Sequence, residues 1–286
     1  MMQLVVNGIV FGSIIALTAI GLSMIYSILN FANFAHGDFV TLGAYFAFLF
    51  NVMLGINLVV AFLFSILATA TLCICLDKII WRPMRKKSAG LVTLIIISIG
   101  LAIFLRNTII FIWGGSPRHY AIPVKKGIEV ASITITQNQV IVIITAFILM
   151  FLVHYILQKT KIGKAMRALS DNMDLARISG IDVDRVILWT WVISMGLAAA
   201  GGVLYGLVTS VRPNMGWFLL LPMFAAVILG GIGNPYGAMA GGLIIGLSQE
   251  ISTAFLPTEY KLAVGFTIMI LVLLLKPEGI FKVTRL

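Results

Sequence analysis

Apolar runs recur along the whole chain with short polar gaps between them, and a run of about 20 residues crosses about 30 Å of hydrocarbon as a helix. The first run covers residues 4–29, and two more, 40–52 and 58–76, are separated near Asn51 and Gly55-Ile56-Asn57. A fourth covers 91–113; 138–157 and 186–208 follow, the latter behind Asp184 as its N-cap. Residues 218–256 read as a helix broken at Gly230-Gly231-Ile232-Gly233-Asn234-Pro235-Tyr236-Gly237. The last run, 261–275, stops at Lys276-Pro277-Glu278-Gly279 because proline cannot continue a helix. After the fourth run, residues 114–137 with their β-branched Ile133-Thr134-Ile135-Thr136 predict a small extended or hairpin element. The pattern predicts an all-α polytopic transmembrane bundle of about eight or nine spans, some of them broken. Residues 1–286 make a single transmembrane domain, since no stretch is polar enough to fold apart from it.

Small residues add packing information. Gly8, Gly12 and Gly21 in the first run, and the pairs Gly237/Gly241 and Gly242/Gly246 near the end, allow helices to approach closely in a membrane. Gly37, five residues, then Gly43-Ala44 echoes Gly231, five residues, then Gly237-Ala238, a hint of a two-fold repeat of broken-helix units. A phosphate loop at the second glycine cluster is excluded, because it needs the preceding strand of a soluble α/β unit.

Composition strengthens the membrane assignment: 60% of the 286 residues are hydrophobic and only 10% charged, against about a quarter charged in soluble domains. The net charge of +10 is read as topology and not as a nucleic-acid footprint, because Lys and Arg gather in particular gaps. Segments 77–87, 158–186 and 276–286 hold fourteen Lys and Arg, whereas 114–137 and 209–217 hold four. The former, with the C-terminus, are therefore expected in the cytoplasm and the latter outside. The first Lys or Arg is Lys78, so the first span lacks the basic start of a cleaved signal and is expected to remain. Arg106, late in its span, is expected to snorkel to the outer interface. Cys73 and Cys75 read as small core residues. His36, His119 and His154 show no metal-ligand spacing, and no cofactor is expected.

Two polar stretches carry the candidate chemistry. Asn30-Phe31-Ala32-Asn33-Phe34-Ala35-His36-Gly37-Asp38 holds two amides, an imidazole and a carboxylate between two apolar runs. It reads either as a turn with helix caps or as a broken helix whose polar break borders a pathway. Lys159 to Arg185 is the longest charged segment, of mixed sign. Ile162, Met166, Leu169, Met173 and Ala176 share one helical face there. With Asp171 and Asn172 as available N-caps and Gly180 as a closing residue, the segment is one helix or two short ones, and two are favoured.

Gly163, Arg167-Ala168, Asn172, Ala176 and Gly180-Ile181 resemble the cytoplasmic coupling loop of ATP-binding-cassette importer permeases of the LivH branched-chain amino-acid type. Asn33-Phe34-Ala35-His36-Gly37-Asp38, the cluster Gly230-Gly231-Ile232-Gly233 with Gly237-Ala238-Met239 and Gly241-Gly242, Thr258-Glu259-Tyr260-Lys261 and Lys276-Pro277-Glu278-Gly279 resemble further motifs of that family. Asp38 and Lys276 stand where Glu and Arg are frequent, and both keep the charge. The resemblance implies a non-enzymatic, multi-pass permease of the bacterial inner membrane that carries branched-chain or other apolar amino acids. It also implies partners: a second, LivM-like permease subunit, two cytoplasmic ATPases that hydrolyse the nucleotide, an extracytoplasmic substrate-binding protein, and the surrounding membrane lipid. Gly163, Arg167, Ala168, Asn172, Ala176 and Gly180 are the expected ATPase-coupling residues; Asn30, Asn33, His36, Gly37, Asp38, Gly231 and Gly233 are the expected path residues. Urea or short amides are the alternative substrates. An ion-coupled secondary transporter is the alternative class and would need intramembrane charge, for which Asp38, Arg106 and Glu250 are the candidates, all expected at interfaces.

Overall fold

In the computed structural model, which describes residues 1–123, 127–130 and 133–281, the first apolar run is one helix, α1 (Met2–Leu29), buried at every residue from Ile14 to Ile25. A helix that is apolar all round belongs in a core, and α1 is the axis about which the others pack. Against it lie α6 (Gln137–Lys159), α9 (Val183–Val208), α10 (Met215–Gly230) and α11 (Pro235–Ser252). On the far side of α9, α2 (His36–Phe48) packs with α3 (Leu58–Leu76) and α5 (Leu91–Trp113); α12 (Lys261–Leu275) covers α10 and α11. The outer helices α3, α5, α6 and α12 are mostly exposed, and their exposed faces carry Val, Leu, Ile and Phe, as lipid contact requires. Among the described residues, six helices are long and apolar enough to cross a membrane. The protein is an all-α, multi-pass bundle.

Glycine sets the tightest contacts. Gly242 and Gly246 of α11 lie against Ala16 and Gly12 of α1, while Gly237 and Gly241 lie against Gly230 and Ala226 of α10. Both small-residue pairs are used, one on each face of α11. Lipid tails are as apolar as leucine, so close backbone packing of this kind carries helix association in a membrane.

Several expectations change in three dimensions. The basic gap 77–87 is no loop: α3 runs through a π-helical turn, Asp77–Trp81, into α4 (Arg82–Lys86), and Arg85 donates to Asp77 at 2.7 and 3.2 Å. Asp182, not Asp184, caps α9 by accepting from the Arg185 N–H at 3.0 Å; Asp184 instead pairs with Arg82 at 2.9 Å. Cys73 is buried, but Cys75, about 200° further around the helix, is exposed. The expected hairpin is present as β1 (Ile128–Val130) antiparallel to β2 (Ile133–Ile135). Gln3 ties it to the start of α1 by donating to the Thr134 carbonyl at 3.1 Å and accepting from the Thr134 N–H at 3.0 Å. The end of the bundle with this hairpin faces away from a basic end that gathers α4, α7 (Lys161–Asp171), α8 (Met173–Ile178) and the C-terminal turn of α1. Lys125, Lys126 and residues 282–286, which entered the charge comparison, lie outside the described residues.

Candidate functional site

The break after α1 is a re-entry into the bundle. Asn30 ends α1 in the left-handed region at φ 54, and residues 31–35 leave the helix. At the start of α2, His36 donates from Nε2 to the Thr18 carbonyl at 3.0 Å. Thr18 lies about 18 Å back along α1 from Asn30, at a rise of 1.5 Å per residue. α2 therefore begins deep within the bundle. Asn33, His36 and Asp38 are fully buried; irregular backbone at such depth survives only when covered by protein or water. Asn33 does act as a local cap, accepting from the Ala35 N–H at 3.1 Å, and Ser98 of α5 accepts from the Phe34 N–H at 3.2 Å.

Asp38 has a different role. It receives a fork from Arg106 of α5, Nε to Oδ1 at 3.1 Å and Nη2 to Oδ2 at 3.2 Å. The guanidinium lies 4.6 Å from the centre of the Trp217 ring on α10. Arg106 thus turns inward to a carboxylate, correcting both the expected snorkelling and the expected interfacial position of the pair. Glu250, the third candidate charge, pairs with Lys261 at 2.6 Å where α11 meets α12.

A second re-entry joins α9 to α10. Val211 pairs with Arg118 at the hairpin end, yet by Gly216 the chain lies against Gly37, and the Gly216 N–H donates to Thr41 Oγ1 at 3.0 Å. The N-terminal ends of α2 and α10 consequently meet inside the bundle. Sequence reasoning placed 209–217 outside as a plain connection; the shortness of α10, 16 residues, was the available signal. A third break, Gly231–Asn234, has Gly231 at φ 107 and Gly233 at φ 86. Asn234 restarts the helix by accepting from the Tyr236 and Gly237 N–H groups at 3.0 and 3.2 Å. The final carbonyls of α10, on Leu229 and Gly230, receive the N–H groups of Ile280 and Phe281 at 2.9 and 3.2 Å. A Cβ on Gly231 would overlap the Phe281 carbonyl.

The expected path residues accordingly separate into two places. Asn33, His36, Gly37 and Asp38 lie deep, whereas Asn30 and Gly233 line openings at the basic end. Asn30 borders a cavity of about 700 Å³ with Trp81, Arg85 and Arg177. Gly233 borders another of about 510 Å³ with Met166, Arg167 and Tyr236. Around the deep break Ser23 Oγ, Asn33 Nδ2, His36 Nδ1 and Ser194 Oγ, and nearer the basic end the indole N–H groups of the stacked Trp81 and Trp191, are buried without a hydrogen-bond partner in the chain. Buried polar atoms are nearly always partnered, so these groups have capacity for water or a polar solute. Because Nε2 of His36 donates to a carbonyl, its Nδ1 is an acceptor. Among the described residues, no three His, Cys, Asp or Glu side chains gather to hold a metal.

At the basic end the charged segment is two short helices. Thr160 caps α7 by accepting from the Gly163 N–H at 3.0 Å, and Asn172 caps α8 by accepting from the Leu175 N–H at 2.9 Å. Gly180, at φ 83, closes α8, with the Ile181 N–H reaching the Ala176 carbonyl at 3.0 Å. Gly163, Met166, Leu169 and Ala176 face the membrane helices, and a Cβ on Gly163 would overlap the carbonyls that end α6. Ala168 is half-buried, and Arg167 donates to Gln158 at 2.9 Å. The outward face exposes Leu175 (62%) and Ile178 (84%) among charged neighbours. Sequence reasoning did not single out these two residues; a period that leaves Leu175 and Ile178 off the apolar face was the signal.

The family described as "Branched-chain amino acid transport system / permease component" matches residues 4–273. The chain is 37% identical to the high-affinity branched-chain amino acid transport system permease protein LivH of Salmonella typhimurium, over 98% of this chain and 94% of that one. It is 32% identical to BraD of Pseudomonas aeruginosa, a permease protein of the same description, over 98% and 95%. It is 27% identical to a probable branched-chain amino acid transport permease protein LivH of Methanocaldococcus jannaschii, over 96% and 90%. No solved structure matches the chain.

Proposed function

The chain belongs to the branched-chain amino acid transport system permease family, and from that membership we propose that it imports branched-chain or other apolar amino acids as one permease subunit of an ATP-driven complex. The full-length match carries this assignment. A second, related permease completes the pathway, two cytoplasmic ATPases drive it, and an extracytoplasmic protein delivers the substrate. The family's members are transport components; nucleotide hydrolysis falls to the ATPases. In the bacterial inner membrane the basic end, including the C-terminus, faces the cytoplasm and the hairpin end faces outward, as the fourteen and four basic residues of the respective segments favour.

In this assignment residues 158–186 are the coupling element of a single transmembrane domain, 1–286. Leu175, Ile178 and exposed Arg167 meet the ATPase, while Gly163, Ala168, Asn172, Ala176 and Gly180 shape and seat the helices that present them. The deep break of Asn33, His36, Gly37 and Asp38 borders the path, supported by its unpartnered polar atoms; Asn30 and Gly233 border its cytoplasmic mouth, and Gly231 shapes the helix break beside it. The bundle is two inverted halves: α1 runs to the basic end and, after its re-entry, α2 returns toward the hairpin end, whereas α9 runs to the hairpin end and, after its re-entry, α10 returns toward the basic end. Matching contacts support this, α1 with α11 as α9 with α3, and α10 with α12 as α2 with α5. The Gly37 and Gly231 echo does not join these counterparts, since Gly37 lies in α2 and Gly231 ends α10.

Purified complex in liposomes, with binding protein outside and ATP at the ATPase side, should accumulate leucine, isoleucine or valine only when this chain is present. Equal accumulation without it, or preferential uptake of urea or short amides, would overturn the amino-acid assignment.

A further inference from the structure

Among the polar side chains of α5, Arg106 differs in how it is satisfied. Asn107 and Thr108 return their hydrogen bonds to carbonyls one turn back, on Ile103 and Phe104, each at 2.8 Å, which lets them face lipid. A guanidinium cannot do this. Of its five N–H donors, two are given to Asp38, and three remain. Arg106 is seven residues from Trp113, where α5 ends, hence about 10 Å below that end at 1.5 Å per residue. Asp38 is wholly buried, whereas the Arg106 side chain is 21% exposed. The guanidinium lies over the Trp217 ring, 4.6 Å from its centre, and on the same surface of α10 Trp217, Phe218 and Leu221 are exposed. A cation with unspent donors is not stable against hydrocarbon and marks a wet passage or a polar contact. The apolar surface next to it suits an aliphatic side chain.

We propose that Arg106 is the residue that pairs with the carboxylate of the amino acid as it passes, with Trp217, Phe218 and Leu221 receiving its side chain and Asp38 acting as the positioning residue for the guanidinium. This rests on the importer assignment and names a residue within it. The fork to Asp38 uses one edge of a planar group and leaves another edge fixed in direction, the arrangement that suits bidentate carboxylate recognition. Asp38 also offsets the charge, which keeps the site from holding an anion too tightly to release it.

The same free donors would also suit a carboxylate of the second permease subunit, and the experiment separates the two sources. In the reconstituted complex, Arg106→Gln and Arg106→Lys are compared with wild type for assembly, ATP hydrolysis stimulated by the binding protein, and leucine moved per ATP hydrolysed. Retained assembly is expected, with leucine moved per ATP falling about tenfold or more, the size of a lost charge-assisted contact. The exchange Asp38→Arg with Arg106→Asp, which restores a pair but not an accessible cation at that position, should not recover transport. Recovery by the exchange, normal coupling in both single variants, or losses that only follow assembly would overturn the assignment and leave a structural ion pair. A further readout leaves Arg106 untouched: Leu221→Cys, in a background with Cys75 replaced by serine, should react with a water-soluble thiol reagent in the assembled complex. No reaction would place that face in lipid or in a dry interface and overturn the assignment. A wild-type complex that moves no apolar amino acid would instead fault the importer assignment itself.

Discussion

Glycine and arginine show what single residues decide in this bundle, and they differ in how far sequence announces them. Gly216 touches Gly37 so closely that a Cβ on it would overlap the Gly37 carbonyl, while Gly100, in the middle of α5, has nothing within 4 Å of the same atom. Gly216→Ala is therefore expected to destabilise the protein by about 1–3 kcal/mol as an overpacked contact. Gly100→Ala should be neutral or stabilising by up to about 1 kcal/mol through helix propensity. Thermal unfolding in detergent, followed by tryptophan fluorescence, checks both; a lower midpoint for Gly100→Ala than for Gly216→Ala would reverse the picture. Spacing revealed the small-residue pairs of α11, because a helix surface is a local property. Asp38 and Arg106 are 68 residues apart, and each, judged beside its own neighbours, reads as interfacial. Their pairing exists only once α2 is placed against α5.

Among the elements, α7 and α8 were legible and the re-entries only partly so. The two short helices of 158–186 sit at a polar boundary, where apolar period and capping residues report which face is covered. Burial then refines the roles: Ala176 is 4% exposed and packs on the permease, whereas Ile178 points outward. Ile178→Asp should leave membrane abundance unchanged and weaken recovery of the ATPase in pull-downs at least several-fold. Ala176→Arg should instead lower abundance of the chain, because an unpaired charge would be forced into a packed contact. Normal ATPase recovery with Ile178→Asp would remove that residue from the docking face. The re-entries resist sequence reading for a physical reason. Hydropathy averages composition over a window and carries no direction, so a chain that turns back at Asn30 resembles one that simply leaves the membrane. Asn33, His36 and Asp38 betrayed the first break because they are polar; the second, from Thr209 to Asn214, has the composition of an ordinary surface connection.

At the scale of the whole molecule, the proposed orientation rests on charge distributed over distant segments. α4, α7 and α8 bring their Lys and Arg to one end although they are far apart in sequence, and a translocating chain retains such clusters on the cytoplasmic side. In intact cells, with Cys75 replaced by serine, an introduced cysteine at Lys86 should escape a membrane-impermeant thiol reagent, while one at Ser116 should be labelled. Both are exposed to solvent in the fold, so accessibility reports side and not burial. After the membrane is opened, Lys86→Cys should label as fast as Ser116→Cys. The opposite pattern would turn the bundle over, and more than topology would then fall. α7 and α8 would face away from any cytoplasmic ATPase, and Arg106, nearer the hairpin end of α5, would no longer lie in the half of the membrane that a delivered amino acid enters first.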